Sequence, residues 1–311
     1  MTNRFRTVFA AALLAAATLS GAAGEQTAPV QSAALPPLGI GLEGINYPYP
    51  VQYLDLALEG QPVRMAYMDV PPAAAPNGKT VVLLHGKSFS GDYWSHTIAT
   101  LTGRGYRVIA PDQIGFGKSS KPDIRYHFDI LARNTKTLLD SLGVTKAAIV
   151  GHSFGGMLAV YFARNHPETT QVLALENPIG LEDYRSAIPP RPIETLTKTE
   201  MSQTPQSFRA FMAAFFVGWP PVAEHYTEIF SRVLQSPEYP RWARASALTY
   251  DMIFNEAIKP LGNWPVLGRD ALKDLPDGKL VEITNAGDVP HAEKPDEFDA
   301  ALVAFLTARL P

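Results

Sequence analysis

Short apolar runs alternate with amphipathic segments between residues 80 and 180 of the chain. The runs are rich in Val, Leu and Ile without polar alternation, which is typical of parallel strands buried on both faces. They read TVVLLHG (80–86), YRVIAPD (106–112), KAAIVGHS (146–153) and QVLALENP (171–178), and the helical segments between them are 95–105, 127–143 and 156–167. This alternation predicts an α/β fold with a mostly parallel central sheet and helices on both faces.

The pattern changes near residue 180. Residues 181–259 contain no buried-strand run and are rich in aromatic residues. Helical stretches are predicted there at 205–219, 222–234 and 241–258. We therefore predict a helical cap over 181–259, lying across the strand ends where open α/β sheets bind ligands. The sheet core is predicted to comprise 25–180 and 260–311. It includes a hairpin over 51–70, a strand at 279–285 and a last helix at 295–310.

The first 24 residues have the pattern of a secretory signal peptide. Arg4 and Arg6 precede an apolar run that is short for a bilayer span, and small residues follow it. The alternatives are a short membrane anchor or a buried helix. The signal peptide predicts a periplasmic or secreted protein with no membrane span in the mature chain.

Composition removes several classes of function. The formal net charge is −3 and basic residues form no long runs, so no basic surface is predicted to bind nucleic acid. The chain has no cysteine, which excludes disulfides, zinc thiolates and a cysteine nucleophile. The histidines lack the spacing of metal sites, and no glycine-rich loop has the pattern of a nucleotide site. We therefore predict neither a metal nor a cofactor.

Ser153 lies between a predicted buried strand and a predicted helix, in the string GHSFGG. A nucleophile elbow is such a strand–turn–helix, and its tight turn needs small residues two positions away on each side, here Gly151 and Gly155. A serine hydroxyl is a weak nucleophile that requires a base and a charge partner. The competing interpretation is a serine that caps the helix.

The motifs LLHGKSFSGDYW (83–94), VIAPDQIGFGKSSKP (108–122), IVGHSFGG (149–156) and PHAEKPDEFDAALVAFL (290–306) resemble those of the α/β-hydrolase fold family, in its serine esterase/lipase-like branch. The resemblance implies that Ser153 is the nucleophile, since haloalkane dehalogenases and epoxide hydrolases of this fold use a carboxylate. It also implies an oxyanion hole formed by the backbone N–H of Phe154 and of Lys87, with Ser88 as the alternative to Lys87.

The chain departs from the family where the catalytic base and acid are expected. The family's Gly-His pair before the last helix reads Gly287-Asp288 here, so His291 is the candidate base, three residues further on. Asp270 is the candidate acid, because it keeps the order Ser, Asp, His. Glu176, at the end of the strand after the nucleophile helix, is the alternative acid. Relative to the family, a strand and its aspartate look deleted near 259–261.

These observations predict an exported serine hydrolase that cleaves small hydrophobic carboxylic esters. An alternative is a hydrolase-fold protein that has lost catalysis and binds a hydrophobic ligand or partner. A third is C–C bond hydrolysis or cofactor-free perhydrolysis on the same fold, since fold alone does not decide the reaction.

Overall fold

The computed structural model describes residues 35–180, 189–255 and 277–310, and within these ranges six strands form one sheet in the order β1-β2-β4-β3-β5-β6. Strands β3 to β6 run parallel, whereas β2 is antiparallel to both β1 and β4. The bounds are β1 Val51–Leu58, β2 Gln61–Val70, β3 Thr80–Leu84, β4 Arg107–Pro111, β5 Ala147–His152 and β6 Thr170–Glu176. The mostly parallel sheet predicted from the apolar runs is confirmed.

Side chains alternate between two hydrophobic clusters, one on each face of the sheet. In β3, Val81 and Leu83 belong to one cluster while Val82 and Leu84 belong to the other, and all four are fully buried. Burial on both faces explains why this strand has no polar positions. The helices are α1 Ser95–Thr102, α2 Phe128–Ser141, α3 Phe154–Asn165, α4 Ile193–Met201, α5 Pro205–Ala213, α6 Pro221–Leu234, α7 Tyr239–Phe254, α8 Pro290–Glu293 and α9 Pro295–Arg309.

Four of these helices, α4 to α7, follow one another without an intervening strand, as the aromatic-rich segment predicts. Helix α5 is shorter than the predicted 205–219, and its start is defined by Thr204 and Ser207, which cap each other's backbone N–H groups. Helix α4 was not predicted, because only Leu196 of its nine residues is buried and its apolar pattern is weak. The boundaries 181–259 of the cap stay a prediction.

The strand predicted at 279–285 is wrong: these residues are described and form no strand. Leu280 and Val281 are 41% and 45% exposed, so neither side chain packs in the sheet. A buried strand requires a hydrogen-bonded neighbour, and within the described ranges β6 pairs only with β5. The alternating pattern KLVEITN is compatible with a strand, but the segment makes no backbone pairing with the outer edge of β6, which is free among the described residues.

Three predictions concern residues outside the described ranges. These are the signal peptide at 1–24, the deletion near 259–261 and the candidate acid Asp270. Within the described ranges, every helix is too short or too polar to cross a membrane.

Candidate active site

Ser153 occupies a strained turn between β5 and α3. Its backbone has φ 52° and ψ −116°, a conformation that a residue with a side chain rarely adopts. A Cβ at Gly151 would overlap the carbonyl oxygen of Gly155, and one at Gly155 would overlap that of Leu84. The turn is therefore as tight as the sequence predicts, and such strain persists at functional sites where the surrounding structure imposes it.

Gly155→Ala is expected to displace Ser153 and to lower the free energy of unfolding by about 1–3 kcal/mol, because the added methyl group has no space. Urea denaturation measures the loss, and serine-directed labelling reports the position of the hydroxyl. Gly143→Ala, after α2, is the control for backbone strain alone: nothing lies within 4 Å of its added Cβ, but its φ of 68° disfavours a side chain, so we expect it to lose some stability and to leave the labelling of Ser153 unchanged. Equal behaviour of the two variants in labelling would contradict the close packing of this turn.

A pocket opens at Ser153 between the sheet and the helices α4 to α7. Its wall near the sheet includes Lys87, Ser153 and Asp288, and its far wall is mainly aromatic. The aromatic members are Phe208, Phe211, Phe215, Phe230, Trp242, Tyr250 and Phe254. A largely apolar pocket with a few polar groups at one end is typical of small-molecule sites.

Two backbone N–H groups near Ser153 have no hydrogen-bond acceptor in the described part of the chain. They belong to Phe154, the first residue of α3, and to Lys87, in the loop after β3. The N–H of Phe154 is one of the first-turn donors that a helix leaves unsatisfied. These are the two groups that the family resemblance implies for an oxyanion hole.

Asp288 reaches the pocket from the loop before the last helix. The backbone holds it firmly: its N–H donates to Phe215 O at 2.6 Å, and its carbonyl accepts from Asn177 Nδ2 at 2.9 Å. The same carbonyl accepts from His152 Nε2 at 2.9 Å. One oxygen of the Asp288 carboxylate lies 3.5 Å from His152 Nε2. A carboxylate thus shares the pocket with Ser153, at the family's histidine position.

His152 is fully buried behind this carboxylate. The Tyr93 hydroxyl accepts from the N–H of Gly86 and forms a second hydrogen bond with His152 Nδ1, at 3.0 Å. Burial lowers the pKa of His152, but hydrogen bonding to Asp288 and the charge of Glu176 outweigh burial, and the net pKa is raised. His152 therefore fixes the loop of Asp288 relative to the elbow.

His291 is paired with Glu176 and enclosed by aromatic rings. Its Nδ1 is 2.7 Å and its backbone N 2.8 Å from the two carboxylate oxygens of Glu176. Its ring stacks on Trp94 at 3.9 Å between centroids, and the edge of Tyr93 contacts it. Burial lowers the pKa of His291 despite the nearby Glu176 carboxylate, so the imidazole is neutral at pH 7.

Comparison with known proteins assigns the family. A family model described as the alpha/beta hydrolase fold matches residues 79–229. The solved structure of a probable hydrolytic enzyme from Pseudomonas aeruginosa is 37% identical with a TM-score of 0.82, covering 88% of this chain and 99% of that one. The chain belongs to the α/β-hydrolase fold family.

Two curated relatives are similar over parts of this hydrolase-fold chain. A putative non-heme chloroperoxidase from Synechocystis is 31% identical over 145 residues, 45% of this chain and 52% of that protein. The 2-hydroxy-6-oxo-6-phenylhexa-2,4-dienoate hydrolase from Comamonas testosteroni is 28% identical over 260 residues, 76% of this chain and 90% of that protein. The match therefore spans about half the length of the chloroperoxidase.

Within this hydrolase fold, the sequence-predicted residues fall into two groups. Ser153, Lys87 and Asp288 line the pocket, with Phe154 next to them. The second group is the buried pair of His291 with Glu176, the alternative acid. His291 does not line the pocket. Its Nε2 is buried and has no hydrogen-bond partner among the described residues, so no hydrogen bond joins His291 to Ser153.

Sequence reasoning did not identify the residues that surround these groups. Tyr93 and Trp94 lie in the motif GDYW and enclose His291, while Arg191 and Tyr250 line the pocket from the cap side. For Tyr93 and Trp94, the sequence did offer a signal, because both are aromatic residues inside a motif that resembles the hydrolase family. Within the described ranges, no group of three His, Asp or Glu side chains is placed to hold a metal ion.

Proposed function

We propose that the chain is an exported hydrolase that cleaves small hydrophobic carboxylic esters through an acyl-enzyme on Ser153. The observation that carries the proposal is the strained backbone of Ser153, at a pocket beside two unengaged N–H groups. Ser153 Oγ attacks the ester carbonyl, and the N–H groups of Lys87 and Phe154 stabilise the oxyanion. The alcohol leaves with a proton, and water then hydrolyses the acyl-enzyme.

We further propose that Asp288 accepts the proton of Ser153, directly or through one water. The support is that Asp288 lines the same pocket as Ser153, whereas His291 does not. A carboxylate is a weaker base than an imidazole whose pKa is near the working pH, so the expected turnover is slow. The prediction from sequence keeps His291 as the competing base, oriented by Glu176 or by Asp270.

Two substitutions distinguish these bases. Asp288→Asn keeps the shape of the side chain and removes its charge, and His291→Gln keeps a donor for Glu176 without a titratable ring. With Asp288 as base, we expect Asp288→Asn to lower kcat for 4-nitrophenyl butanoate by about 10²-fold, and His291→Gln to change it by less than about threefold once both proteins are shown to be folded. The reverse order of effects would assign the base to His291.

A second candidate function is binding without catalysis. It is favoured by the carboxylate at the family's histidine position, and the aromatic pocket would then hold a hydrophobic ligand. Ser153→Ala separates the two: a hydrolase loses ester cleavage with this change, whereas a binding protein keeps its ligand affinity and has no cleavage to lose. C–C bond hydrolysis, named for the Comamonas relative, is a third reaction that the same kinetic comparison tests when a C–C substrate is used.

A further inference from the structure

One part of the pocket wall holds two cations around a single tyrosine of α7. The guanidinium carbon of Arg191 lies 5.3 Å and Lys87 Nζ 6.0 Å from the centre of the Tyr250 ring. All three residues line the pocket that contains Ser153. Each cation is attracted by the face of the ring, but the two positive charges repel each other, and an anion bound near both would offset that repulsion.

No carboxylate of the described residues is paired with either cation. Glu200 also lines the pocket, and its charge raises the pKa of Tyr250, but no ion pair joins it to Lys87 or Arg191. The polar partner of Lys87 Nζ is the neutral Ser246 Oγ, at 3.4 Å. Among the described residues, neither of these half-buried cations therefore has a carboxylate partner.

Tyr250 adds a second, independent sign of a missing ligand group. Its hydroxyl is buried, no described residue accepts a hydrogen bond from it, and the residue is 6% exposed. Burial raises the pKa of Tyr250, opposed in part by the charge of Arg191 and by hydrogen bonding from its guanidinium, so the phenol stays protonated and its proton is available for a ligand. A buried donor without an acceptor usually marks an absent ligand or water.

From this juxtaposition, we infer that Lys87, Arg191 and Tyr250 form a carboxylate-binding subsite, and that the substrate is a hydrophobic ester that also carries a free carboxylate. Two cations and a hydroxyl donor suit the two oxygens of a carboxylate. The aromatic remainder of the pocket suits an aryl or long alkyl group rather than a multiply charged phosphate. The inference deepens the proposed function by naming the class of ester.

The test measures binding, so that it does not depend on turnover. Isothermal titration of Ser153→Ala protein compares 4-phenylbutanoate with its neutral analogue 4-phenylbutanamide at low salt. We expect the acid to bind at least about 10-fold more tightly than the amide, because charge-assisted hydrogen bonds are the stronger kind. We expect Arg191→Gln and Tyr250→Phe, each in the Ser153→Ala background, to remove most of that preference.

Arg209→Gln is the matched control. Arg209 also lies in the helical segment and over an aromatic ring, 4.0 Å from the centre of Trp219, but it is paired with Glu224 and does not line the pocket. We expect it to keep the full preference for the acid. Equal affinity for acid and amide, or no binding of either, would overturn the subsite. A positive binding result without ester cleavage by the native protein would retain the subsite and reject the hydrolase.

Discussion

Asp288→His is expected to raise kcat for ester hydrolysis by about 10²-fold. The substitution places an imidazole at the pocket position that a carboxylate now occupies beside Ser153. A well-placed general base contributes roughly 10²–10⁴ in rate. We expect the lower end of that range, because Glu176, the acid that could orient the new imidazole, already binds His291. Steady-state kinetics with 4-nitrophenyl butanoate at pH 8 measures the gain.

The backbone contacts of position 288 do not depend on its side chain. Its N–H donates to Phe215 O, and its carbonyl accepts from His152 and Asn177, so the variant is expected to fold. Asp288→Asn is the matched control and should be slower than the native protein. The gain should vanish in the double variant with Ser153→Ala. A folded Asp288→His protein that is no faster than the native chain would contradict the assignment of this position.

Glu176→Ala is expected to lower the free energy of unfolding by about 2–4 kcal/mol, because it leaves two buried donors of His291 without an acceptor, at about 1–3 kcal/mol each. The change leaves the backbone N–H and Nδ1 of His291 without their acceptor, inside a site enclosed by Trp94 and Tyr93. Urea denaturation with an unchanged m-value measures the loss.

Two further variants define what the Glu176 result means. Glu224→Ala removes an exposed carboxylate paired with Arg209, and should cost less than about 1 kcal/mol. Glu176→Gln keeps an acceptor oxygen and should recover part of the stability. A loss below about 1 kcal/mol for Glu176→Ala would show that the His291–Glu176 pair does not anchor the last loop.

The sheet could be predicted because its signals are local. Each buried strand is an unbroken apolar run, and β3 shows why: its successive residues enter opposite cores. The nucleophile elbow could be predicted for the same reason, since Gly151, Ser153 and Gly155 are close in sequence and their sizes define the turn. The segment 279–285 was mispredicted because a strand also needs a neighbour, and pairing is not a local property.

The chemistry of the last loop could be predicted only in part. The absence of the family's histidine at Asp288 is visible in the sequence, as are the candidates His291 and Glu176. Their pairing joins residues 115 positions apart, and the enclosure of His291 depends on Trp94 in a third segment. The cluster of Lys87, Arg191 and Tyr250 likewise draws on three separate parts of the chain, none of which carries a motif for it.

The most direct test of the central claim, that Ser153 is an activated nucleophile, is labelling by a fluorophosphonate with the modified residue located by mass spectrometry. Such reagents modify a serine that has a base and an oxyanion hole. We predict slow labelling at Ser153 in the native protein, faster labelling in Asp288→His and none in Ser153→Ala. Folded native protein that stays unlabelled at Ser153 after prolonged exposure would contradict the hydrolase account.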